Sequence, residues 1–355
     1  MSTYGARHAP SAFSTPASIA LFRRLTWEGT VPLEIRVDAK ELPANSNRGL
    51  ECYFIQAPRV SYLPLVVPEV RAFLMDVVFD ENGGRVVKEE EWWFERDDGG
   101  LVKWHWPIGL IYDTYTTSLS PSAATSSSGP TPLKLVLHLA SPPTDKLLLA
   151  PSAEACKQAF MGQLKEADFI RWGNTKRMTG LRKQEQDGIW EGIREHDFDT
   201  YWRIASKITP TPSPNAQGGR SPSPAPVPPS SASMVHTRPP SAEPGASTDA
   251  NRDAATAVRS VPARIYLPDG PVLQDLVPPA LADGAPHTLG RFLHTHLPLL
   301  FPIANPRHSS DPDLAYALIQ GVPCPLDAEM AWLGACMAGA DGWVSVCVGI
   351  GRPGA

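Results

Sequence analysis

The sequence predicts an α+β protein in which two small domains of one plan lie on either side of a helical segment. Three observations predict this fold class. Strand and helix patterns occur in a similar order at the two ends of the chain, the middle has aromatic residues at helical spacing, and a proline-rich stretch precedes the last part. Alternating strands that expose one apolar face need helices to cover that face, which is the arrangement of α+β domains.

The first domain, residues 29–145, follows an N-terminal arm (1–17) and a helix (18–28). "TVPLEIRVD" and "ECYFIQA" predict a strand pair, because their residues alternate and include β-branched and aromatic types. "PEVRAFLMDVVF" opens with proline and places its apolar residues at helical spacing. Three more predicted strands and one serine-rich flexible loop complete the domain: strands 91–95, 101–106 and 133–140, and loop 118–132.

The middle of the chain, residues 146–208, predicts a helix-rich domain. Its segment "FDTYWRIA" has an apolar stripe with the i, i+3, i+4, i+7 spacing of one helix face. After it, residues 209–258 form a predicted disordered linker, because 11 of the 38 prolines fall there and large apolar residues are few. Such a segment cannot bury enough surface to offset the entropy of ordering it.

The last domain, residues 259–355, repeats the plan of the first. Predicted strands and helices follow along the chain: strands 263–267 and 272–277, a helix 287–297 capped by Thr288 or His287, strand 315–322, helix 326–337 and a final strand "WVSVCVGI". The apolar run 333–351 contains Asp341 near its centre, so "ADG" is interpreted as a turn before the strand and not as part of a membrane span. Two ubiquitin-like β-grasp domains fit this order, although other α+β sheets share it.

The composition excludes several function classes. A net charge of −5 and a pI near 6.0 give no reason to expect nucleic acid as the main partner. Five cysteines without a CxxC pair predict reduced cytosolic thiols and no zinc site. Paired carboxylates, phosphate-binding glycine loops and G-x-S-x-G are absent from the sequence, so no catalytic residues, cofactor or metal are predicted.

Two alternatives of other classes stay open from the residues. "KWHWP" at 103–107 resembles an aromatic platform for stacking RNA bases if its residues alternate along a strand. A thiol enzyme would need a cysteine such as Cys52 or Cys156 beside a histidine such as His105 or His138. Retention on RNA that depends on salt, or one reactive thiol of low pKa, would separate these alternatives.

Several motifs together resemble the autophagy-related protein 5 family. They are "WEGTVPLEIR", "RVSYLPLVVPEVRAFL", "EWWFE", "VKWHWPIGLIYD", "FMGQLKEAD", "LADGAPHTLGRFL" and the final "WVSVCVGI". The resemblance extends from about Leu21 to Ile350, apart from the serine-rich loop and the linker. The long linker departs from the compact pattern of the family.

The resemblance implies two ubiquitin-like domains around a helix-rich one, and it implies a function without catalytic residues of its own. Members are joined covalently, by E1-like and E2-like enzymes, to the ubiquitin-like autophagy-related protein 12. They bind the coiled-coil autophagy-related protein 16 non-covalently. The assembly acts like a ligase that promotes lipidation of autophagy-related protein 8 during autophagosome formation. The implied location is the cytoplasm and, peripherally, the membrane of the preautophagosomal structure.

The resemblance places the isopeptide bond at Lys165, within "FMGQLKEAD". Helical spacing puts this lysine opposite the apolar stripe that contains Cys156, so we expect it to face solvent. Met161 and Phe169, four residues to either side, are predicted to share the exposed face and to contact the modifier. A lysine amine is almost wholly protonated at neutral pH, so the conjugating enzyme is expected to supply the base.

The helix at 18–28 is the second candidate site. Ile19, Phe22 and Trp27 are the candidates for binding a partner helix, since Ile19 and Phe22 share one face of the helix with Leu25 or Trp27. The resemblance favours a groove for a helix of autophagy-related protein 16. The alternative is that this helix packs on its own chain.

Overall fold

The computed structural model describes residues 15–42, 51–77, 89–119, 131–148, 152–210, 258–268, 270–302 and 314–351. These residues form two sheets with helices on their faces and a helical bundle between them. Most of the predicted arm (1–17), of the loop (118–132) and of the linker (209–258) lies outside the described residues.

The first sheet has four strands in the order β2-β1-β4-β3, with β1 and β4 parallel at its centre. The elements are β1 (Thr30–Val37), β2 (Tyr53–Pro58), β3 (Trp93–Arg96), β4 (Leu133–His138), α2 (Leu63–Val77) and α3 (Ile108–Ser118). Alternate residues of β1 and β4 are buried against α2 and α3, as the period of two in the sequence predicts.

Two features of the first domain differ from the prediction. Residues 101–106 are not a strand: Leu101 makes a single bridge to Glu95, and the chain then turns into α3, which the sequence analysis missed. Pro107 occupies the N-cap of α3, where its missing N–H costs no intrahelical bond. Helix α2 begins at Leu63, so Pro68 lies inside the helix and does not start it.

The second sheet has five strands in the order β6-β5-β9-β7-β8, again with a parallel pair, β5 and β9, near its centre. Its elements are β5 (Val261–Tyr266), β6 (Val272–Val277), β7 (Ala315–Ile319), β8 (Val322–Pro323), β9 (Val344–Ile350), α8 (Leu289–His296) and α9 (Met330–Cys336). The predicted cap of α8 is confirmed, because the Thr288 hydroxyl accepts the Arg291 N–H. The predicted turn at Asp341 lies between α9 and β9.

The middle of the chain is helical, with α4 (Ala153–Trp172), α5 (Lys176–Thr179), α6 (Lys183–Arg194) and α7 (Phe198–Ala205). The core of this bundle includes Phe160, Trp190 and Tyr201. Helix α1 (Pro16–Glu28) joins the bundle to the second domain, because Trp27 is buried in the bundle core and Ile19 in the core of the second sheet. None of the helices in the described ranges is both long and apolar enough to cross a bilayer.

A buried ion pair within the first domain lies at the contact with the second domain. The Arg59 guanidinium donates to Asp113 Oδ2 at 2.5 Å, and both side chains are almost fully buried. The same carboxylate oxygen accepts the Gly321 N–H, 2.9 Å away, from the turn between β7 and β8. The first domain is therefore fixed to the second through one carboxylate of α3.

Candidate functional site

Helix α4 carries the lysine that the sequence analysis singles out. The Ser152 hydroxyl caps its first turn, and Gly173 ends it in the left-handed conformation with φ 73°. One flank packs in the bundle core through Cys156, Phe160 and Leu164. The adjoining flank packs against Trp343 of the second domain through Ala167 and Ile170. The helix is thus buried on two sides, and only a narrow strip faces water.

Lys165 lies on that exposed strip, together with Gln158, Gly162 and Phe169. The Phe169 side chain is 56% exposed, which is unusual for a large aromatic residue. A Cβ added at Gly162 would meet nothing within 4 Å, so the surface one turn before the lysine is open. Lys165 is exposed to solvent, which confirms the expectation from its position on the helix.

The neighbours of Lys165 along the helix are occupied by other contacts. Glu166 is bound by Arg264 of β5 at 2.9 Å and accepts a hydrogen bond from Gln274 of β6. Asp168 is 1% exposed and accepts the Met178 N–H at 3.0 Å, and burial raises the pKa of its carboxyl. Within the described part of the chain, Lys165 has no ion-pair partner.

The prediction that Met161 shares the exposed face is wrong. Its side chain is 9% exposed and belongs to the bundle core with Phe160 and Trp190. Helical spacing centres the buried stripe on Cys156, whereas the bundle core extends further around α4 and covers Met161 as well. The buried arc is therefore wide enough to include Met161, and only Phe169 of the two candidates presents an apolar surface beside the lysine.

The candidates on α1 are mostly internal. Ile19 is 3% exposed and Trp27 is 4% exposed, so neither offers a surface to a partner, and their prediction as contact residues is contradicted by burial. Phe22 is half-buried and packs edge-on against Trp332 of α9, with ring centroids 5.2 Å apart. The helix packs on its own chain, which was the alternative interpretation, and Phe22 alone of the three remains partly accessible.

The geometry removes the basis of the RNA-binding alternative. Lys103, His105 and the tryptophans do not alternate along a strand, because this segment is a turn. Trp104 is buried and its indole N–H donates to Leu148 O at 2.8 Å. Trp106 packs edge-on against Tyr266 of β5, and the Lys103 amine lies 4.2 Å from the centroid of the Trp106 ring. These aromatic rings therefore join the domains and do not form a stacking platform.

The cysteines do not support the thiol-enzyme alternative. Burial raises the pKa of all five thiols, to about 12 for Cys156 and Cys336 and to about 11 for Cys324. A nucleophilic cysteine needs the opposite shift, since the thiolate is the reactive form. In the described residues these thiols act as apolar filler.

The described chain is therefore a protein with two ubiquitin-like sheet domains that flank a helical bundle, and the bundle presents an exposed lysine on its longest helix. Family models for three domains match it: the UblA domain of Autophagy protein ATG5 at residues 26–139, the alpha-helical bundle region at 153–211 and the UblB domain at 260–348. The chain belongs to the autophagy protein 5 family.

Individual relatives cover nearly the whole chain. The Autophagy protein 5 of Aspergillus clavatus is 30% identical over 347 residues, covering 94% of this chain and 98% of its own. That of Penicillium rubens is 29% identical over 342 residues, with 93% and 97% covered. The crystal structure of Kluyveromyces marxianus Atg5 matches with a TM-score of 0.62 at 19% identity, covering 92% of this chain and 99% of that one, and supports the fold.

Proposed function

We propose that this autophagy protein is a scaffold that becomes joined, through the Lys165 amine, to the ubiquitin-like autophagy-related protein 12. In this proposal the conjugate binds autophagy-related protein 16 and acts as a ligase-like complex that promotes lipidation of autophagy-related protein 8. The chain itself supplies no catalytic residue. Its place of action is the cytoplasm and, as a peripheral component, the membrane of the preautophagosomal structure.

The exposure of Lys165 on the outward strip of α4 is the observation that carries this proposal. Another lysine of the same helix offers a contrast, because the Lys157 amine is held by Asp187 at 2.8 Å. Lys165 has an open surface one turn before it at Gly162 and an exposed apolar side chain one turn after it at Phe169. An incoming protein can reach the amine and contact the aromatic ring in the same approach.

The transfer step needs chemistry from the enzyme that delivers the modifier. The neutral amine attacks the thioester carbonyl, the C–N bond forms, the C–S bond breaks and the thiol of the enzyme leaves. The lysine ammonium must first lose a proton. Asp168 is buried on a backbone N–H and Glu166 is bound by Arg264, so neither neighbouring carboxylate is placed to accept it. The E2-like enzyme therefore supplies the base.

Substitution of Lys165 by arginine tests the proposal. Arginine keeps the charge and most of the side-chain volume but stays protonated, so we expect the conjugate to disappear while the fold is kept. Lys157→Arg and Lys176→Arg are the controls, and both should conjugate at the level of the original chain. Conjugation is measured by the appearance of a heavier band in a reconstituted reaction with the E1-like and E2-like enzymes. Persistence of the band in Lys165→Arg, or its loss in a control, overturns the assignment.

A further inference from the structure

A cluster of three carboxylates around one imidazole lies at an edge of the first sheet, away from Lys165 and its helix. Strands β1 and β4 are parallel, with Val37 beside Leu137, so the residues that follow each strand meet at the same edge. Asp38 follows β1 and His138 is the last residue of β4. Glu41 lies in the short 3₁₀ turn after Asp38. Residues separated by 100 positions in the sequence thus come together.

The distances within the cluster match those of a metal site. His138 Nδ1 lies 3.3 Å from Glu41 Oε1 and 3.5 Å from Asp38 Oδ2. A tetrahedral ion with bonds of about 2.0–2.1 Å to nitrogen and oxygen needs its ligand atoms about 3.3 Å apart. The three ligand atoms all lie within 4.8 Å of one another, so a single ion can contact them together.

The other polar atoms of these side chains are already held by the protein. Glu41 Oε2 accepts the Leu139 N–H, and Asp38 Oδ1 accepts the Lys40 N–H at 3.1 Å. On the far side of the ring, His138 Nε2 lies 3.1 Å from Glu95 Oε2, and Trp93 stacks on the imidazole with the centroids 3.9 Å apart. A carboxylate on the second nitrogen and backbone bonds to the second carboxylate oxygens are the usual supports of metal ligands.

Both ring nitrogens of His138 face carboxylate oxygens. In the neutral tautomer that donates its single N–H to Glu95, the Nδ1 lone pair faces the oxygens of Glu41 and Asp38. The imidazole is buried, whereas the side chains of Asp38 and Glu41 are 23% and 24% exposed, which leaves room for a water as a further ligand. No lysine or arginine in the described ranges forms an ion pair with these three carboxylates. Their charge is balanced either by a metal ion or by a second proton on the imidazole.

We propose that Asp38, Glu41 and His138 bind one divalent first-row metal ion of the Zn²⁺ class, with a fourth position open to water. One imidazole and two carboxylates suit such an ion better than Mg²⁺ or Ca²⁺, which prefer oxygen ligands alone. The ion would join the turn after β1 to the end of β4 and so fix the edge of the first sheet. This site is independent of conjugation at Lys165.

Zinc titration of the full-length chain tests the site, with competition against a fluorescent zinc chelator as the measurement. We expect one ion to bind tightly, Glu95→Gln to weaken binding by about 10–100-fold and Glu41→Gln to weaken it by at least about 100-fold. Glu41→Gln preserves the side-chain shape and the acceptor for Leu139 N–H. Asp145→Asn, which changes an exposed carboxylate of the same domain, is the matched control and should bind like the original chain.

Two further readouts keep the test decisive. Cobalt should give the visible absorption of a four-coordinate site in the original chain, and this absorption should be lost in His138→Gln. Nitrogen NMR of the imidazole should show zinc on Nδ1 and a proton on Nε2. Equal zinc affinity in Glu41→Gln and the original chain would mean adventitious surface binding only. An imidazole that keeps protons on both nitrogens in the presence of zinc would mean that a proton alone fills the centre. Either result overturns the proposal.

Discussion

The buried carboxyl of Asp341 makes the stability of the second domain depend on pH. Asp341 lies in the turn between α9 and β9 and is 8% exposed. Burial raises the pKa of this carboxyl from 3.8 to about 6, and the Trp343 N–H together with the charges of Arg264 and Arg171 opposes this rise only in part. The Trp343 N–H donates to Asp341 Oδ1 at 3.1 Å.

The direction of the effect follows from proton binding. Between about pH 4 and pH 6 the folded chain keeps a proton on Asp341 that the unfolded chain releases, so the stability from this group falls as the pH rises through this range. The pKa rises by about two units, and each unit corresponds to about 1.36 kcal/mol, so the cost above pH 6 is about 3 kcal/mol.

Asp341→Asn removes the ionisable group and keeps an oxygen that can accept the Trp343 N–H. The amide N–H groups add a cost of their own, but that cost is the same at every pH and cancels when two pH values are compared. We expect the free energy of unfolding of the variant, relative to the original chain, to rise by about 2.5 kcal/mol between pH 4 and pH 7.5, because a small part of the cost is already present at pH 4.

Urea unfolding followed by circular dichroism measures this difference at a series of pH values. Asp327→Asn is the control, because Asp327 belongs to the same domain and is exposed to water. Its difference from the original chain should change little over the same range. If the curves of Asp341→Asn and the original chain run parallel from pH 4 to pH 7.5, the carboxyl is not desolvated in the folded chain and the reasoning is refuted.

Two further pairs of substitutions test side-chain packing. Gly321 has φ +78°, and a Cβ there would meet the Arg59 guanidinium at 2.8 Å, whereas Gly284 has φ +80° and open space around it. Gly284→Ala should cost only the backbone strain of about 1–2 kcal/mol, and Gly321→Ala should lower the free energy of unfolding by about 1 kcal/mol or more beyond that. Equal losses for the two variants in urea unfolding would contradict this prediction. Met161→Ala should lower the free energy of unfolding by about 2–5 kcal/mol, because it leaves a cavity in the bundle core. Phe169→Ala should lower it by less than about 1 kcal/mol, because that ring is exposed. Similar melting temperatures for these two variants would show that Met161 does not belong to the core.

The elements that the sequence predicted well are those with a strong local pattern. Strand β1 and the cap at Thr288 follow from alternation and from a hydroxyl at the start of an apolar helix. The strand predicted at 101–106 is wrong because the alternating tryptophans of "KWHWP" indicate a strand locally, whereas the chain forms a turn there and Trp106 packs against Tyr266 of the second domain. Local spacing cannot represent such contacts.

The candidate site shows the same division. The exposure of Lys165 was predictable from its angle on the helix, but the burial of Met161 was not, because it depends on how far the bundle core extends around α4. The cluster around His138 had no signal in the sequence at all. Asp38 and His138 meet only through the register of two parallel strands, which the sequence order of the strands does not specify.

The packing of α1 sets an order on how the chain can fold. Arg23 of this helix donates to the carbonyl of Ala335, 312 residues further along, and Ile19 completes the core of the second sheet. During synthesis, α1 can therefore pack against the second domain only after β9 has left the ribosome. Contacts between such distant residues form slowly, since the loop between them must close first. The C-terminal domain is finished by the N-terminal helix, so truncation at one end of the chain would expose the core at the other.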